Sequence, residues 1–141
     1  MQIVELDSRL QKDSYILGTM SDSSLLLSRN AHFPWFILVP DTKETEFYKL
    51  DQEQQQLLLS QVNKLSAFIE RRFAIDKLNI AAIGNIVSQM HIHIVGRHQK
   101  DPCWPGVVWG CDHFKAYAEG EVETIRDQLE MDMLVEFKAA R

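Results

Sequence analysis

The residues with the most chemical potential lie in one short run, Ser88-Gln89-Met90-His91-Ile92-His93-Ile94-Val95-Gly96-Arg97. Its alternation predicts a strand, in which every second side chain shares a face. Gln89, His91 and His93 then point one way, and Met90, Ile92 and Ile94 the other. The aliphatic side suits a helix-covered core. The imidazole side cannot be core in the same sense, because each ring carries a donor and an acceptor that need partners. It either meets solvent or lines a polar site. Three readings compete: two histidines on a solvated face, the start of a metal site, or catalysis by imidazole. A metal would need further ligands from His98, Cys103, Cys111 or His113, and the cysteines lack a tight Cys-x-x-Cys spacing. In catalysis, a neutral imidazole whose second nitrogen is held as a donor can attack phosphorus. A neighbouring imidazole then stabilises charge on the departing group.

Something must carry these side chains. The 141 residues suffice for one domain, and 45% hydrophobic with 25% charged residues is an ordinary globular composition. No repeat, low-complexity stretch or Pro/Gly-rich linker interrupts residues 1–141, which read as a single domain. A net charge of −5 argues against a general affinity for duplex nucleic acid, yet leaves room for a local site for a small phosphate ester. Cys103 and Cys111 are too few for a disulfide framework and read as reduced thiols in a cytosol. The opening MQIVELDSRLQKDS lacks the basic flank and apolar run of a signal peptide. No apolar run approaches the ~20 residues that cross a bilayer. A cytoplasmic protein with no membrane partner is the expectation.

Leu6 to Ser14 predicts a short helix with Leu6 and Leu10 on one side. Tyr15 to Met20, Leu25 to Ser28 and Trp35 to Val39 are bounded by turn formers (Ser21-Asp22-Ser23, Asn30, Pro34, Pro40) and read as consecutive antiparallel strands. Asp51 occupies an N-cap position, with Gln54 as its capping-box partner. Leu58, Val62, Leu65 and Ile69 mark one face of a long helix running to about Phe73, which Arg71-Arg72 end favourably. Leu78 to Ile83 and Met90 to Val95 read as strands around a Gly84-Asn85 turn. Asp101 to Gly110 reads as an ordered loop. A final helix from about Glu119 to Ala139 places Val122, Ile125, Leu129, Met133 and Phe137 on its apolar side. Strands grouped before and after one long helix predict an α+β domain with an antiparallel sheet of about five strands.

The run Gln89 to Val95 resembles the signature of the histidine-triad (HIT) family, His-φ-His-φ-His-φ-φ with φ apolar. Gly84-Asn85 stands ahead of it where family members carry Gly-Gln. Gly96-Arg97 and Trp104-Pro105-Gly106 follow it much as in the nucleotide-hydrolysing branches. Pro34-Trp35-Phe36-Ile37-Leu38-Val39-Pro40 resembles the family's Pro-Gly-His-φ-Leu-Val-φ-Pro strand. The likeness covers roughly residues 15–110, leaving about 112–141 as a helical extension. It points to a bacterial subgroup of small hydrolases with Gln in place of the first histidine.

This resemblance implies roles residue by residue. His91 aligns with the nucleophile that attacks the α-phosphorus and forms a nucleotidyl-histidine intermediate. His93 aligns with the histidine that contacts phosphate oxygens near the bond being broken. Gln89 would orient His91 or a phosphate, and Asn85 would contact phosphate. Asn30 aligns with a ribose-binding residue, with Ser28 as its competitor. Leu38 belongs either to a base pocket or to the core. The implied substrate is a dinucleoside polyphosphate or nucleoside phosphoramidate, hydrolysed without a cofactor or metal by a homodimer.

Two departures accompany the likeness. Gln89 replaces the first histidine, and it can hydrogen-bond like a neutral imidazole but cannot titrate. Phe36 replaces the histidine of the upstream strand. Two alternatives therefore stay open: a non-catalytic nucleotide-binding module on the same fold, or a metal-binding protein using the His-x-His pair. Trp104 and Trp109 either stack on a base, close a dimer contact or anchor their loop. Arg29 and Arg97 either meet phosphate or stay solvated.

Overall fold

The computed structural model describes residues 4–141. Met1 to Ile3, where the 1–141 domain and the segment read as lacking a signal peptide begin, lie outside the described residues. The elements are α1 (Ser8–Asp13), β1 (Ser14–Met20), β2 (Ser23–Ser28), β3 (Trp35–Val39), α2 (Gln52–Arg72), β4 (Lys77–Ala81), β5 (Ile92–Arg97), α3 (Glu121–Asp132) and β6 (Phe137–Ala139). The fold is α+β. All strand pairs are antiparallel, in one sheet ordered β4-β5-β3-β2-β1-β6.

The long helix starts where its cap is written. The Asp51 carboxylate accepts from the Gln54 backbone N–H at 2.8 Å, and the Gln54 side-chain oxygen accepts from the Asp51 N–H at 3.3 Å. This reciprocal box satisfies two N–H groups that the first turn leaves without helical partners. Leu58, Val62, Leu65, Phe68 and Ile69 are buried on one face of α2. They meet Leu25, Leu27, Phe36, Leu38, Ile92 and Ile94 from one face of the sheet. Each such fully buried aliphatic or aromatic side chain stabilises the fold by roughly 1.5–3 kcal/mol. The other face of the sheet carries a smaller cluster, in which Leu26, Ile37 and Val39 pack with Leu10 of α1 and with Val87.

Strand alternation therefore sorts the sheet into a helix side and an α1 side. Met90, Ile92 and Ile94 lie on the helix side, as their spacing predicts. Regular pairing in β5 begins only at Ile92, so Met90 and His91 precede the strand proper.

The C-terminal region corrects the expectation of one helix to Ala139. Helix α3 stops at Asp132, and Phe137–Ala139 form a sixth strand against β1. Met133 and Phe137 are buried as the apolar spacing requires. A four-residue apolar period is satisfied equally by a continuing helix and by a turn followed by a strand, and here the edge of β1 supplies backbone partners. Gly18 makes that docking possible, since a Cβ there would lie 2.0 Å from the Lys138 carbonyl oxygen.

Candidate active site

Strand β3 determines which side chains accompany the histidines. Ile37 lies opposite His93, Trp35 opposite Val95 and Phe36 opposite Ile94. Directly opposed residues of an antiparallel pair share a face. Trp35 consequently stands on the imidazole side, whereas Phe36 faces α2 and packs edge-on against Phe68 and Phe73. Phe36, read from sequence as the replacement for an upstream histidine, is thus a core residue. Trp35 is the residue of this strand that reaches the imidazoles: its Nε1–H donates to His93 Nδ1 at 2.9 Å. Sequence reasoning passed over Trp35 as part of an apolar stretch, although strand parity alone would have separated it from Phe36. Leu38 shares the helix side and is fully buried, so it is core.

His91 Nδ1 lies 2.7 Å from the Gln89 carbonyl oxygen. A carbonyl only accepts, so Nδ1 carries a proton, and in the neutral ring the lone pair is then on Nε2. The rings of His91 and His93 have centroids 4.9 Å apart and planes inclined at 71°. Burial, then the neighbouring His91, pushes His93 down to about 4, so it is uncharged near neutrality.

Both histidines line a cavity of about 440 Å³, a size suited to a small-molecule ligand. Asn85, Ser28, Trp35 and Trp109 contribute to its walls, and α1 brings Arg9 and Asp13. The Ser14 hydroxyl and the Trp109 indole N–H are buried without a hydrogen-bond partner, and both residues line this cavity. His91 and Gly84 also line a second cavity of about 170 Å³, together with Ser88, Gln89 and Glu46.

The other candidates fall on different sides of this boundary. Gln89 lines only the smaller cavity. Its Oε1 accepts from the Asp7 N–H at 2.8 Å and its Nε2 donates to the Glu5 carbonyl at 3.0 Å. The amide thereby ties down the segment leading into α1, and Gln89 orients His91 through its main chain instead. Asn30 does not line the larger cavity. Its Nδ2 donates to the His113 carbonyl at 2.8 Å, and its Oδ1 accepts from the N–H groups of His32 and Lys115. Ser28 is the wall residue of that pair.

The sequence readings of Arg97 and of the two cysteines in the loop that follows it are corrected. Arg97 is neither a phosphate contact nor solvated: it is 1% exposed, forms a two-point ion pair with Asp101 (2.8 and 3.0 Å) and donates to Asn79. Asp101 also accepts from the backbone N–H groups of His98, Cys103 and Trp104, so the pair builds the loop from within. Arg29 places its guanidinium over the Tyr15 ring, 4.2 Å from the centroid.

Cys103 and Cys111, read as reduced thiols, are joined in a disulfide with Cα atoms 6.2 Å apart. The loop reverses direction between them, which an eight-residue separation does not reveal. The bridged loop brings Trp109 against His93 and Trp35, with ring centroids at 5.2 and 5.8 Å. Two sulfurs bonded to each other are not thiolate ligands, so the metal reading loses both its cysteines. Among the described residues no group of three or more His, Cys, Asp or Glu is arranged to hold a metal ion. Nor is any described helix long and apolar enough to cross a membrane.

Comparison with known proteins gives a consistent result. The family model of the HIT domain matches residues 9–100. A histidine-triad protein from Marinobacter aquaeolei is 37% identical, with 96% of this chain and 99% of that chain covered and a TM-score of 0.88. One from Bradyrhizobium japonicum is 35% identical over 93% of this chain and 98% of the other, at a TM-score of 0.87. A Plasmodium falciparum diadenosine triphosphate hydrolase shares the fold at 18% identity and a TM-score of 0.53, covering 92% of this chain and 78% of that one. No curated protein matches the chain.

Proposed function

The chain belongs to the histidine-triad family, and on that premise we propose that it is a nucleotide hydrolase acting at the α-phosphorus of a dinucleoside polyphosphate or nucleoside phosphoramidate. The observation that carries this reading is the 2.7 Å contact between His91 Nδ1 and the Gln89 carbonyl. In the neutral ring it leaves Nε2 as a lone-pair nucleophile and lets the carbonyl stabilise the positive charge that the ring acquires on attack.

The reaction has two displacements. His91 Nε2 forms a bond to the α-phosphorus while the bond to the leaving oxygen or nitrogen breaks, and the leaving group departs with that electron pair and takes up a proton. Water then attacks the nucleotidyl-His91, the P–N bond breaks, and a nucleoside monophosphate leaves with neutral His91 restored. His93 and Asn85 contact phosphoryl oxygens in this scheme. Ser28, rather than Asn30, is the wall residue available to ribose.

A second reading, nucleotide binding without turnover, is favoured by one observation: the Gln89 amide is spent on the α1 segment and contacts no imidazole. Intact-protein mass spectrometry after mixing with adenosine phosphoramidate or diadenosine tetraphosphate separates the two. A nucleotidyl adduct on the wild type, absent from His91→Ala, supports hydrolysis. Tight binding with neither adduct nor product supports the binding module, and failure to bind either compound overturns both substrate classes.

The proposal extends to a homodimer. Strand β4 is hydrogen-bonded on one side only, and exposed Ile80, Phe47 and Leu59 border a shallow apolar depression beside it. An unpaired edge next to apolar surface suits a second copy of the same chain. Sedimentation of the wild type against Ile80→Lys tests it, since a monomeric wild type excludes the dimer.

A further inference from the structure

We propose that Trp35 is a positioning residue that holds His93 as its Nε2–H tautomer, making His93 a neutral hydrogen-bond donor to a phosphoryl oxygen beside His91. The phosphoryl ligand rests on the hydrolase reading above, whereas the tautomer rests on geometry alone. An indole N–H can only donate, so the nitrogen it meets at 2.9 Å must be an acceptor. With His93 Nδ1 unprotonated, the proton of the neutral ring sits on Nε2.

His91 has the opposite arrangement, because the partner of its Nδ1 is a carbonyl. Two rings with centroids 4.9 Å apart therefore present unlike atoms, a lone pair on His91 Nε2 and an N–H on His93 Nε2. That combination suits a phosphoryl centre, which accepts a nucleophile at phosphorus and a donor at oxygen. A carbonyl or carboxylate in the place of Trp35 would invert His93 and turn a second lone pair toward an anionic ligand. Protonating His93 at Nδ1 would displace the indole N–H and bury a charge in the pocket.

The indole is itself held, edge-on to Phe33 at 6.3 Å and to Trp109 at 5.8 Å. The titratable and charged groups facing the cavity are His91 and, from α1, Arg9 and Asp13. Strand β3 and the bridged loop oppose His93 with indoles.

Long-range ¹⁵N NMR of the histidine side chains reads the tautomer without substrate. The wild type should show His93 protonated on Nε2 and unchanged from pH 7.5 to 5. Trp35→Phe should show mixed tautomers and titration moved upward only in part, since burial and the neighbouring His91 remain. Trp109→Phe, which removes a ring contact but not the hydrogen bond, should keep the wild-type tautomer. In turnover, Trp35→Phe should lower kcat about tenfold, the size of one hydrogen bond, with little change in KM and an acid limb moved to higher pH. A wild-type His93 protonated on Nδ1 overturns the proposal, whatever the variants do, and so does a Trp35→Phe protein with unaltered tautomer and kcat. If no nucleotide is turned over, the hydrolase reading falls and the tautomer result still stands.

Discussion

His91 and His93 are held at the same ring atom by partners of opposite polarity, a carbonyl 2.7 Å from Nδ1 of the first and an indole N–H 2.9 Å from Nδ1 of the second. Adjacent imidazoles are thereby made chemically unequal before any ligand arrives. Such inequality needs no charge on either ring, and it is supplied by a strand end and a neighbouring strand.

The burial of His93 should make stability depend on pH. The unfolded chain takes up a proton near 6.5, whereas the folded ring does so only at about 4. Between these values the unfolded state binds more protons, so this contribution is full above about pH 6.5 and declines as pH falls toward 4. The whole effect is about 3 kcal/mol. Urea midpoints of the wild type should fall between pH 7 and 4.5, and those of His93→Gln should fall less. Parallel curves would refute the assignment.

Gln89→Ala should loosen α1 without disturbing the sheet. The variant loses both hydrogen bonds to the backbone of Glu5 and Asp7, and with them the anchorage of the helix that brings Arg9 and Asp13 to the cavity. Hydrogen exchange should quicken over residues 5–13 and stay slow in β3 and β5. KM for the nucleotide should rise severalfold, more than kcat falls. Uniform acceleration across the sheet would mean that Gln89 supports the whole fold.

Much of this architecture is legible in the sequence because local rules and the global fold agree. The capping box at Asp51, the helical stripe of Leu58 to Ile69 and the alternation at Met90 to Ile94 each encode one outcome. The misreadings occur where one pattern serves two structures. The spacing of Leu129, Met133 and Phe137 fits a helix or a turn and strand, and only the open edge of β1 decides. Trp35 and Phe36 are interchangeable as apolar letters until pairing with β5 assigns their faces. The partners of Arg97, Asn30 and Gln89, and the meeting of Cys103 with Cys111, depend on chain reversals that composition does not specify.

Asp101→Ala should be among the most destabilising single changes. It leaves the Arg97 guanidinium buried with its carboxylate removed and frees three backbone N–H groups of the loop. Stripping one partner from a buried pair costs about 3–5 kcal/mol. Guanidinium denaturation should show that loss, and a change under about 1 kcal/mol would mean that water replaces the carboxylate.

Cys103→Ser should destabilise the chain by about 2–3 kcal/mol through loss of a short covalent loop, and dithiothreitol should do the same to the wild type. Near-ultraviolet circular dichroism should report loosened packing of Trp109 against His93 and Trp35. If the oxidised and reduced proteins melt together, the bridge contributes nothing to the native loop.

The sheet order has a consequence for assembly that concerns valence. At one end lies β4, five residues long and free to pair; at the other lies β6, only three residues long. A strand so short is a poor template for a further strand. Among the described residues the sheet thus offers one usable edge, and any symmetric pairing through β4 consumes it in both copies. Growth by strand addition through that edge would then terminate at two.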